Sequence, residues 1–400
     1  MLDVLVVGGG PSGFVTALGL AQSGVRVQLI EAEPRIIDSP RAAVYHWSVL
    51  DGLERLGIRE EAEAIGFPKQ EYGYLIRRTG ERIAFDIKVL EGRTAFPYNI
   101  HLGQDRLADI ARRRLEGFGN ASIRFDARLV ALSQDADGVT AQVEGKAGRE
   151  EMRARWLIGA DGAGSTVRRL AGLGFDGITW PERFVATNVH LDFEALGYPL
   201  TTLVVDDRHG AVIVKIARDG LWRWTYMEDG SLPQDSFMNR LPGAYSANIP
   251  PGTDYRVDRA TPYRMHQRTA DRYRIGRILL VGDAAHVTNP TGGYGLTSGL
   301  FDSYALHPAL AAVILEGADD EVLDRYSEVR RTIFLTRTSP QATRNKRLVF
   351  HANGGGTELD EAVAMLRRVA GDPDFRLQWL GFTKSLESPP LLETGAAASA

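Results

Sequence analysis

Short apolar runs that end at glycines organise the start of the chain. Leu2–Val7 is apolar and stops at a glycine-rich stretch, a helix-like segment then reaches Gly24, and Val25–Ile30 is a second apolar run that ends in Glu31. Mostly apolar runs of this length, bounded by glycines, indicate buried strands. The pattern therefore predicts a β-turn-α-β unit at the start of the chain.

The pattern then changes from helical to alternating and back to helical. Residues 41–65 and 103–117 have helical spacing, alternating apolar and polar runs dominate residues 183–262, and the chain after residue 296 is again mostly helical. Alternation with a period of two is typical of half-buried strands, whereas a period near 3.6 is typical of helices. We predict an α/β protein with a β-sheet inserted into its first domain.

Composition narrows the classes of function. The 400 residues carry a formal net charge of −4, so we expect no nucleic-acid partner. The sequence has no Cys, which excludes disulfides, iron–sulfur clusters, thiolate zinc sites and thiol catalysis, and we expect no metal site. No run approaches the ~20 apolar residues of a membrane span. We expect a cytoplasmic protein without a membrane partner.

Three glycines with the spacing Gly-x-Gly-x-x-Gly lie between the first predicted strand and the first predicted helix. They are Gly8, Gly10 and Gly13, and Glu31 ends the next strand. Glycines in such a turn permit a tight bend and the close approach of a pyrophosphate, and the carboxylate suits a ribose hydroxyl. The turn predicts nucleotide binding, but it does not distinguish FAD from NAD.

Two further turns carry polar groups at the ends of apolar strands. The first is Gly159–Arg168, in which Ser165 is a suitable helix N-cap. The second begins at Gly282 and Asp283 and runs through a glycine-rich loop, Pro290–Gly295. The carboxylate of Asp283 suits a polyol chain, and the bare backbone of the loop suits the edge of a planar ring. A ligand held by both ends of the sequence must be long.

The three motifs, in this order, resemble those of the FAD-dependent aromatic hydroxylases, single-component flavoprotein monooxygenases of the para-hydroxybenzoate hydroxylase type. The resemblance covers residues 1–345 and includes Arg41 after the second strand and Gln104 before a helix. One departure is Thr297, where the family usually has Asn.

The resemblance implies an α/β fold with a Rossmann-like FAD-binding domain, an inserted β-sheet substrate domain and a C-terminal helical segment. The implied parts are 1–71, 101–182 and 266–345 for the FAD-binding domain, 72–100 and the β-sheet 183–265 for the substrate domain, and 346–400 for a helical cap and tail. A homodimer is compatible with this arrangement.

The resemblance also implies which residues hold the cofactors. FAD would be resident and non-covalent, and NADH or NADPH would bind transiently. Asp283 would hold the ribityl chain, and Asp161 and Arg168 would serve FAD and the nicotinamide cofactor jointly. The adenosine and pyrophosphate would contact Gly8, Gly10, Gly13, Glu31, Arg41 and Gln104, and the isoalloxazine would contact Pro290, Gly293, Gly295 and Leu296.

The implied reaction is hydroxylation of an electron-rich aromatic ring, either a phenol, a hydroxypyridine or a polyketide-like ring. NADH or NADPH reduces the flavin, O₂ adds to form a hydroperoxide, and one oxygen atom passes to the substrate. Because electrophilic hydroxylation is faster on a phenolate, we expect a base or hydrogen-bond acceptor near the ring. The candidates are His46, Tyr45, His190 and Tyr226, with core packing as the alternative for each.

Other activities on the same scaffold remain alternatives. A flavin halogenase would show Trp-x-Trp-x-Ile-Pro and an early Lys, whereas Trp222–Tyr226 is not followed by Ile-Pro and the first Lys is Lys69. An epoxidase, a reductase and a non-catalytic flavin-binding protein stay open at this point.

Overall fold

The computed structural model of the protein describes residues 1–37, 43–351 and 356–392. Arg41, which the sequence assigns to the cofactor, lies outside the described residues. The helices are α1 Pro11–Gln22, α2 Trp47–Arg55, α3 Arg59–Ile65, α4 Gln104–Glu116, α5 Thr166–Leu170, α6 Phe237–Ser246, α7 Tyr294–Ala311, α8 Glu321–Ile333, α9 Ser339–Phe350, α10 Gly356–Gly371 and α11 Pro373–Lys384. The strands are β1 Leu2–Val7, β2 Val27–Ile30, β3 Val44–Tyr45, β4 Phe67–Lys69, β5 Glu71–Ile76, β6 Glu81–Asp86, β7 Asn99–His101, β8 Ala121–Arg124, β9 Arg128–Gln134, β10 Val139–Gly145, β11 Gly148–Gly159, β12 Phe175–His190, β13 Thr201–Val205, β14 Ala211–Lys215, β15 Leu221–Glu228, β16 Arg256–Ala270, β17 Arg274–Ile275, β18 Ile278–Leu280 and β19 His286–Val287.

A mostly parallel sheet forms the first layer. Its order is β17-β18-β11-β1-β2-β8, and β10 joins it through β11 and carries β9 on its other side. The pairs that β18, β11, β1, β2 and β8 form with one another are parallel. The first apolar run supplies β1, whose residues Val4, Leu5 and Val6 are fully buried. The predicted β-turn-α-β unit is thus present, and the carboxyl ends of β1, β11 and β18 meet at one edge.

A second sheet is antiparallel except for one pair. Its order is β19-β16-β12-β15-β14-β13-β5-β6, and the parallel pair is β13 with β5. One face packs on α6, where the Trp224 and Tyr245 rings lie 4.0 Å apart. The opposite face packs in part on the C-terminal helices, where Phe85 and Leu203 share a hydrophobic cluster with Phe350 of α9 and Leu366 of α10. The α/β fold with an inserted β-sheet and helical C-terminal segment is confirmed.

Helix α7 lies in the hydrophobic core of the first layer. With its continuation to Glu316 it is the segment of the described chain that is long and apolar enough to cross a membrane, and 67% of that window is buried inside the protein. The helix packs on α1 and carries Asp302, whose side chain is fully buried and bonded to two basic residues. These contacts are those of a core helix.

Candidate active site

Two adjoining cavities run along the carboxyl ends of the parallel strands. Their volumes are about 620 Å³ and 530 Å³. Both linings contain Gly10, Pro11, Gln104, Ala160 and Gly162, so the cavities meet at the first glycine turn. Ligand sites are expected at this edge of a doubly wound sheet. Together the cavities form one cleft, long enough for an extended ligand.

The three glycines of the first turn have different surroundings. A Cβ on Gly8, whose φ is +111°, would lie 2.4 Å from the Ala160 carbonyl oxygen, and one on Gly13 would lie 2.0 Å from the Gly8 oxygen. A Cβ on Gly10 would have no atom within 4 Å. Gly8 and Gly13 therefore allow close packing of strand, turn and helix, whereas Gly10 leaves open space at the N-terminus of α1, where an anionic group is favoured.

Glu31 and Gln104 lie on the side of the cleft that the smaller cavity forms. The Glu31 carboxylate accepts the Gly9 N–H at 2.6 Å and the Glu33 N–H at 2.9 Å. A carboxylate has about four lone-pair sites, so it retains acceptor capacity for a ribose hydroxyl. Gln104 begins α4 and lines both cavities.

Several residues of the Gly159–Arg168 segment line the cleft, among them Asp161, whereas Arg168 is buried beside it. Asp161 lines the smaller cavity and accepts hydrogen bonds from Ser165 Oγ at 2.5 Å and from the Thr166 N–H at 2.6 Å. Among the described residues, Arg168 belongs to neither lining. Its guanidinium donates to the Ala284 carbonyl at 2.7 Å, and burial lowers its pKa. Arg168 thus fixes this segment against the turn that holds Asp283.

A buried ionic network anchors that turn. Asp283 faces the larger cavity, and the preceding Gly282 N–H donates to Asp302 at 3.0 Å. Asp302 also accepts from His286 Nε2 at 2.7 Å and from Arg330 Nε at 2.7 Å. Burial alone would raise the pKa of Asp302, but His286 and Arg330 hold it below its ordinary value. His286 is therefore part of the scaffold.

The glycine-rich loop forms one wall of the larger cavity. Pro290, Gly292, Gly293, Tyr294, Gly295 and Leu296 all line it. His46 also lines the cavity, and its Nε2–H donates to the Gly292 carbonyl at 2.8 Å. Burial lowers the pKa of His46 to about 4, so the ring is neutral near pH 7. The Thr297 hydroxyl donates to the Gly293 carbonyl at 3.2 Å, within the helix that follows.

The other three predicted catalytic residues lie away from the cleft. Tyr45 is 1% exposed in the core of the first layer, because the alternation of β3 turns Val44 and His46 toward the cavity and Tyr45 away. Tyr226 shares the α6 face of the second sheet with the two tryptophans of β15. His190 ends β12, and the described linings of both cavities omit it.

The cleft is completed by residues that the sequence interpretation missed. The sheet face opposite α6 contributes Tyr72, Tyr74, Thr201, Leu203, Val212, Val214, Arg223, Thr225, Tyr263 and Met265. Arg223 and Thr225 alternate with Trp222, Trp224 and Tyr226, so the period of two in β15 was a signal for which side chains face the cavity. Helix α9 adds Gln341 and Asn345, and α11 adds Gln378, Trp379, Leu380, Phe382 and Thr383.

These surroundings fit a flavin dinucleotide. The cleft joins a carboxylate at one end, open space at a helix N-terminus in the middle and a glycine loop at the other end. Beyond the loop, aromatic and aliphatic side chains with a few hydroxyl and amide groups enclose space for a small flat molecule, as is typical of ligand sites.

Comparison with known proteins agrees with this geometry. Residues 1–337 match the family model described as FAD binding domain. The chain is 42% identical over 386 residues to 6-hydroxy-3-succinoylpyridine 3-monooxygenase from Pseudomonas putida (strain DSM 28022 / S16), covering 96% of this chain and 98% of the relative. It is 44% identical over 346 residues to para-nitrophenol 4-monooxygenase from Pseudomonas sp. (strain WBC-3), covering 86% of each. The crystal structure of p-nitrophenol 4-monooxygenase from Pseudomonas putida DLL-E4 superposes with a TM-score of 0.93 at 39% identity, over 97% of this chain and 98% of that chain.

Proposed function

This chain belongs to the family of FAD-dependent aromatic monooxygenases, and from that premise we propose that it hydroxylates a single-ring phenol or hydroxypyridine at the carbon para to the ring hydroxyl, displacing the substituent there. The reductant is NADH or NADPH and the oxygen donor is O₂. We also propose a cytoplasmic location, where both reductants are available.

The names of the two relatives support the position of attack. In para-nitrophenol 4-monooxygenase, carbon 4 already carries the nitro group. In 6-hydroxy-3-succinoylpyridine 3-monooxygenase, carbon 3 carries the succinoyl group and lies para to the hydroxyl at carbon 6. In both substrates the hydroxylated carbon is para to a ring hydroxyl and bears an electron-withdrawing group. This common feature defines the substrate class that we propose for this chain.

The observation that carries the proposal is the continuous cleft. We assign the adenosine and pyrophosphate of FAD to the first glycine turn, Glu31 and Gln104, and the ribityl chain to Asp283. The loop Pro290–Leu296 would hold the isoalloxazine, and the cavity face of the second sheet would hold the substrate. Bound FAD supplies the activation of O₂, and the protein supplies orientation and exclusion of water.

His46 has a positioning role in this proposal. Its Nε2–H donates to the Gly292 carbonyl, and burial lowers its pKa to about 4, so the imidazole is a weak base. We therefore assign His46 to the shape of the loop that meets the isoalloxazine, and we assign proton removal from the substrate to no group of the predicted set.

Substrate-stimulated oxidation of NADH or NADPH tests the proposal. The FAD-loaded enzyme should oxidise the reductant at least ten-fold faster with 4-nitrophenol or a 6-hydroxy-3-acylpyridine than without a ligand. The matched controls are 2-nitrophenol and 3-nitrophenol, which have the same groups in other positions. Equal stimulation by all three isomers would remove the para specificity, and no stimulation by any phenol or hydroxypyridine would contradict the proposal.

A further inference from the structure

The amide of Asn345 has an orientation that its neighbours on α9 fix from one side. Asn345 and Gln341 lie one turn apart on this helix, and both line the larger cavity. Arg344 Nη2 donates to Gln341 Oε1 at 2.6 Å. Because a guanidinium can only donate, the Gln341 amide must present Nε2 on its other side, where Nε2 donates to Asn345 Oδ1 at 2.9 Å. The Nδ2 end of Asn345 therefore turns away from Gln341.

The glycine-rich loop fixes the same orientation from the other side. Asn345 Nδ2 lies 3.5 Å from the Thr291 carbonyl oxygen and 3.4 Å from the Tyr294 hydroxyl oxygen. A carbonyl oxygen can only accept, so the amide nitrogen must face it. A Cβ on Gly292 would lie 2.6 Å from Nδ2, so this donor is held against the backbone of the loop.

Both loop contacts of Asn345 Nδ2 are long. N–H···O bonds in proteins are most often about 2.9–3.0 Å, whereas these two measure 3.5 and 3.4 Å. An amide NH₂ has two hydrogens to donate, so it retains donor capacity for a better placed oxygen. Asn345 lines the larger cavity together with Gly292 and Tyr294. A ligand held against the loop is therefore the partner that this donor can still gain.

The two substituents that define the proposed substrate class share a hydrogen-bond acceptor. A nitro group and a succinoyl group each carry an oxygen on the atom that is bonded to the ring. The ring carbon that bears the group must face the loop to which we assign the isoalloxazine, because the oxygen atom is delivered there. Its substituent then lies at the loop as well, on the side where Asn345 presents its donor.

We infer that Asn345 Nδ2 donates a hydrogen bond to the oxygen of the para substituent and thereby selects the substituted carbon for hydroxylation, with Gln341 as the positioning residue that directs Nδ2 toward the loop. The inference rests on the proposed function and names the residue that recognises the leaving group.

The same hydrogen bond assists departure of the substituent. After hydroxylation, carbon 4 of 4-nitrophenol bears both a hydroxyl and the nitro group. The carbon–nitrogen bond then breaks, its electron pair leaves with nitrite, and the hydroxyl gives up its proton as the quinone forms. A donor to the nitro oxygen stabilises the negative charge that nitrite takes up.

Binding of two ligands to the FAD-loaded, oxidised enzyme tests the inference. 4-Nitrophenol has the substituent oxygen and 4-chlorophenol lacks it. Asn345→Leu removes the donor at nearly constant volume, so the dissociation constant of 4-nitrophenol should rise about three- to ten-fold, as expected for loss of one hydrogen bond, while that of 4-chlorophenol should not rise. Comparing each ligand with itself in the two proteins removes the difference in phenol acidity.

Three further variants complete the test. Asn345→Asp keeps the size and polarity of the side chain but has no amide hydrogen, so it should show the same loss for 4-nitrophenol even if Asn345→Leu folds poorly. Gln341→Met removes the bond that orients Asn345 and should reproduce part of that loss. Gln378→Leu is the matched control, because Gln378 lines the cavity from α11 and makes no hydrogen bond to the loop within the described residues; it should leave the ratio of the two dissociation constants within about two-fold of wild type.

Nitrite release gives a second readout. With 4-nitrophenol, Asn345→Leu should release at least three-fold less nitrite per NADH or NADPH oxidised than the wild type, with the difference recovered as hydrogen peroxide. The reason is that a substrate without its contact at the loop is not held where the oxygen atom is delivered.

The outcomes separate the inference from the proposed function. Equal changes for both ligands in Asn345→Leu and Asn345→Asp, or no change for either, overturn the role of Asn345 while para hydroxylation stands. An equal loss of selectivity in Gln378→Leu overturns it too, and an unchanged 4-nitrophenol constant in Gln341→Met removes the positioning role of Gln341. A wild-type enzyme that releases no nitrite from 4-nitrophenol instead contradicts the proposed function.

Discussion

Single residues in the cleft gain their roles from fixed hydrogen bonds and burial. His46 shows this most clearly. Its position beside the cofactor loop suggested a base, but burial keeps the imidazole neutral and its Nε2–H donates to the Gly292 carbonyl. Sequence placed His46 near the loop through a family resemblance. It did not show the carbonyl that the imidazole meets, because Gly292 is distant in the chain.

The lowered pKa of His46 predicts a pH-dependent loss of stability. Between pH 6.5 and about 4 the unfolded chain binds a proton that the folded chain does not, so stability falls as pH falls through this window and is unaffected above it. At pH 5 the cost is about 2 kcal/mol. In His46→Gln, whose amide can still donate to Gly292, this component should disappear.

Urea unfolding at pH 7.5 and pH 5 measures the difference. His307→Gln is a matched control, because burial also lowers the pKa of His307 to about 4 but the described lining of the cavity does not include it. His307→Gln should recover a similar amount of stability at pH 5. If His46→Gln loses as much stability on acidification as the wild type, the buried neutral state of His46 is wrong.

At the scale of elements, the first strand-turn-helix unit separates folding from cofactor binding. A Cβ at Gly8 would overlap the Ala160 backbone, whereas a Cβ at Gly10 would enter only the open cleft. We predict that Gly10→Ala folds with near-wild-type thermal stability in the absence of FAD but binds FAD at least ten-fold more weakly, because the methyl occupies space for the pyrophosphate.

The companion variant Gly8→Ala should behave in the opposite way. The added Cβ would lie 2.4 Å from the Ala160 carbonyl oxygen, and a φ of +111° is strained for any residue with a side chain. The apoprotein itself should therefore be destabilised. FAD titration and thermal unfolding of the apoproteins distinguish the two effects. Full FAD occupancy in Gly10→Ala would contradict the placement of the pyrophosphate.

The sequence predicted elements that depend on local signals, but it did not predict how those elements pack on one another. The apolar runs and the first glycine turn predicted the β-turn-α-β unit at the start of the chain, because both signals are local. The sequence did not predict the face of β15 that meets the ligand, and Tyr226 was chosen where Arg223 and Thr225 line the cavity. That choice depends on α6 covering the other face, which is a long-range packing relation.

At the scale of the whole molecule, the cleft joins both sheets and the C-terminal helices. Helix α11 was predicted only as part of a cap, yet Trp379 and four neighbouring residues close the cavity. Trp379 packs edge-on against Phe85 of β6 at 5.5 Å, which links the cap to the second sheet. The active site is therefore complete only when the chain from β1 to α11 is folded around it.

The fate of the substituent tests the central proposal most directly. With 4-nitrophenol, oxygen insertion at carbon 4 consumes one O₂ and one NADH or NADPH with a proton, and yields benzoquinone, nitrous acid and water. Nitrite and ring products should be quantified against reductant consumed by the FAD-loaded enzyme. We predict nitrite equimolar with coupled reductant consumption. Formation of 4-nitrocatechol with the nitro group retained, or hydrogen peroxide as the sole product, would contradict hydroxylation at the para carbon.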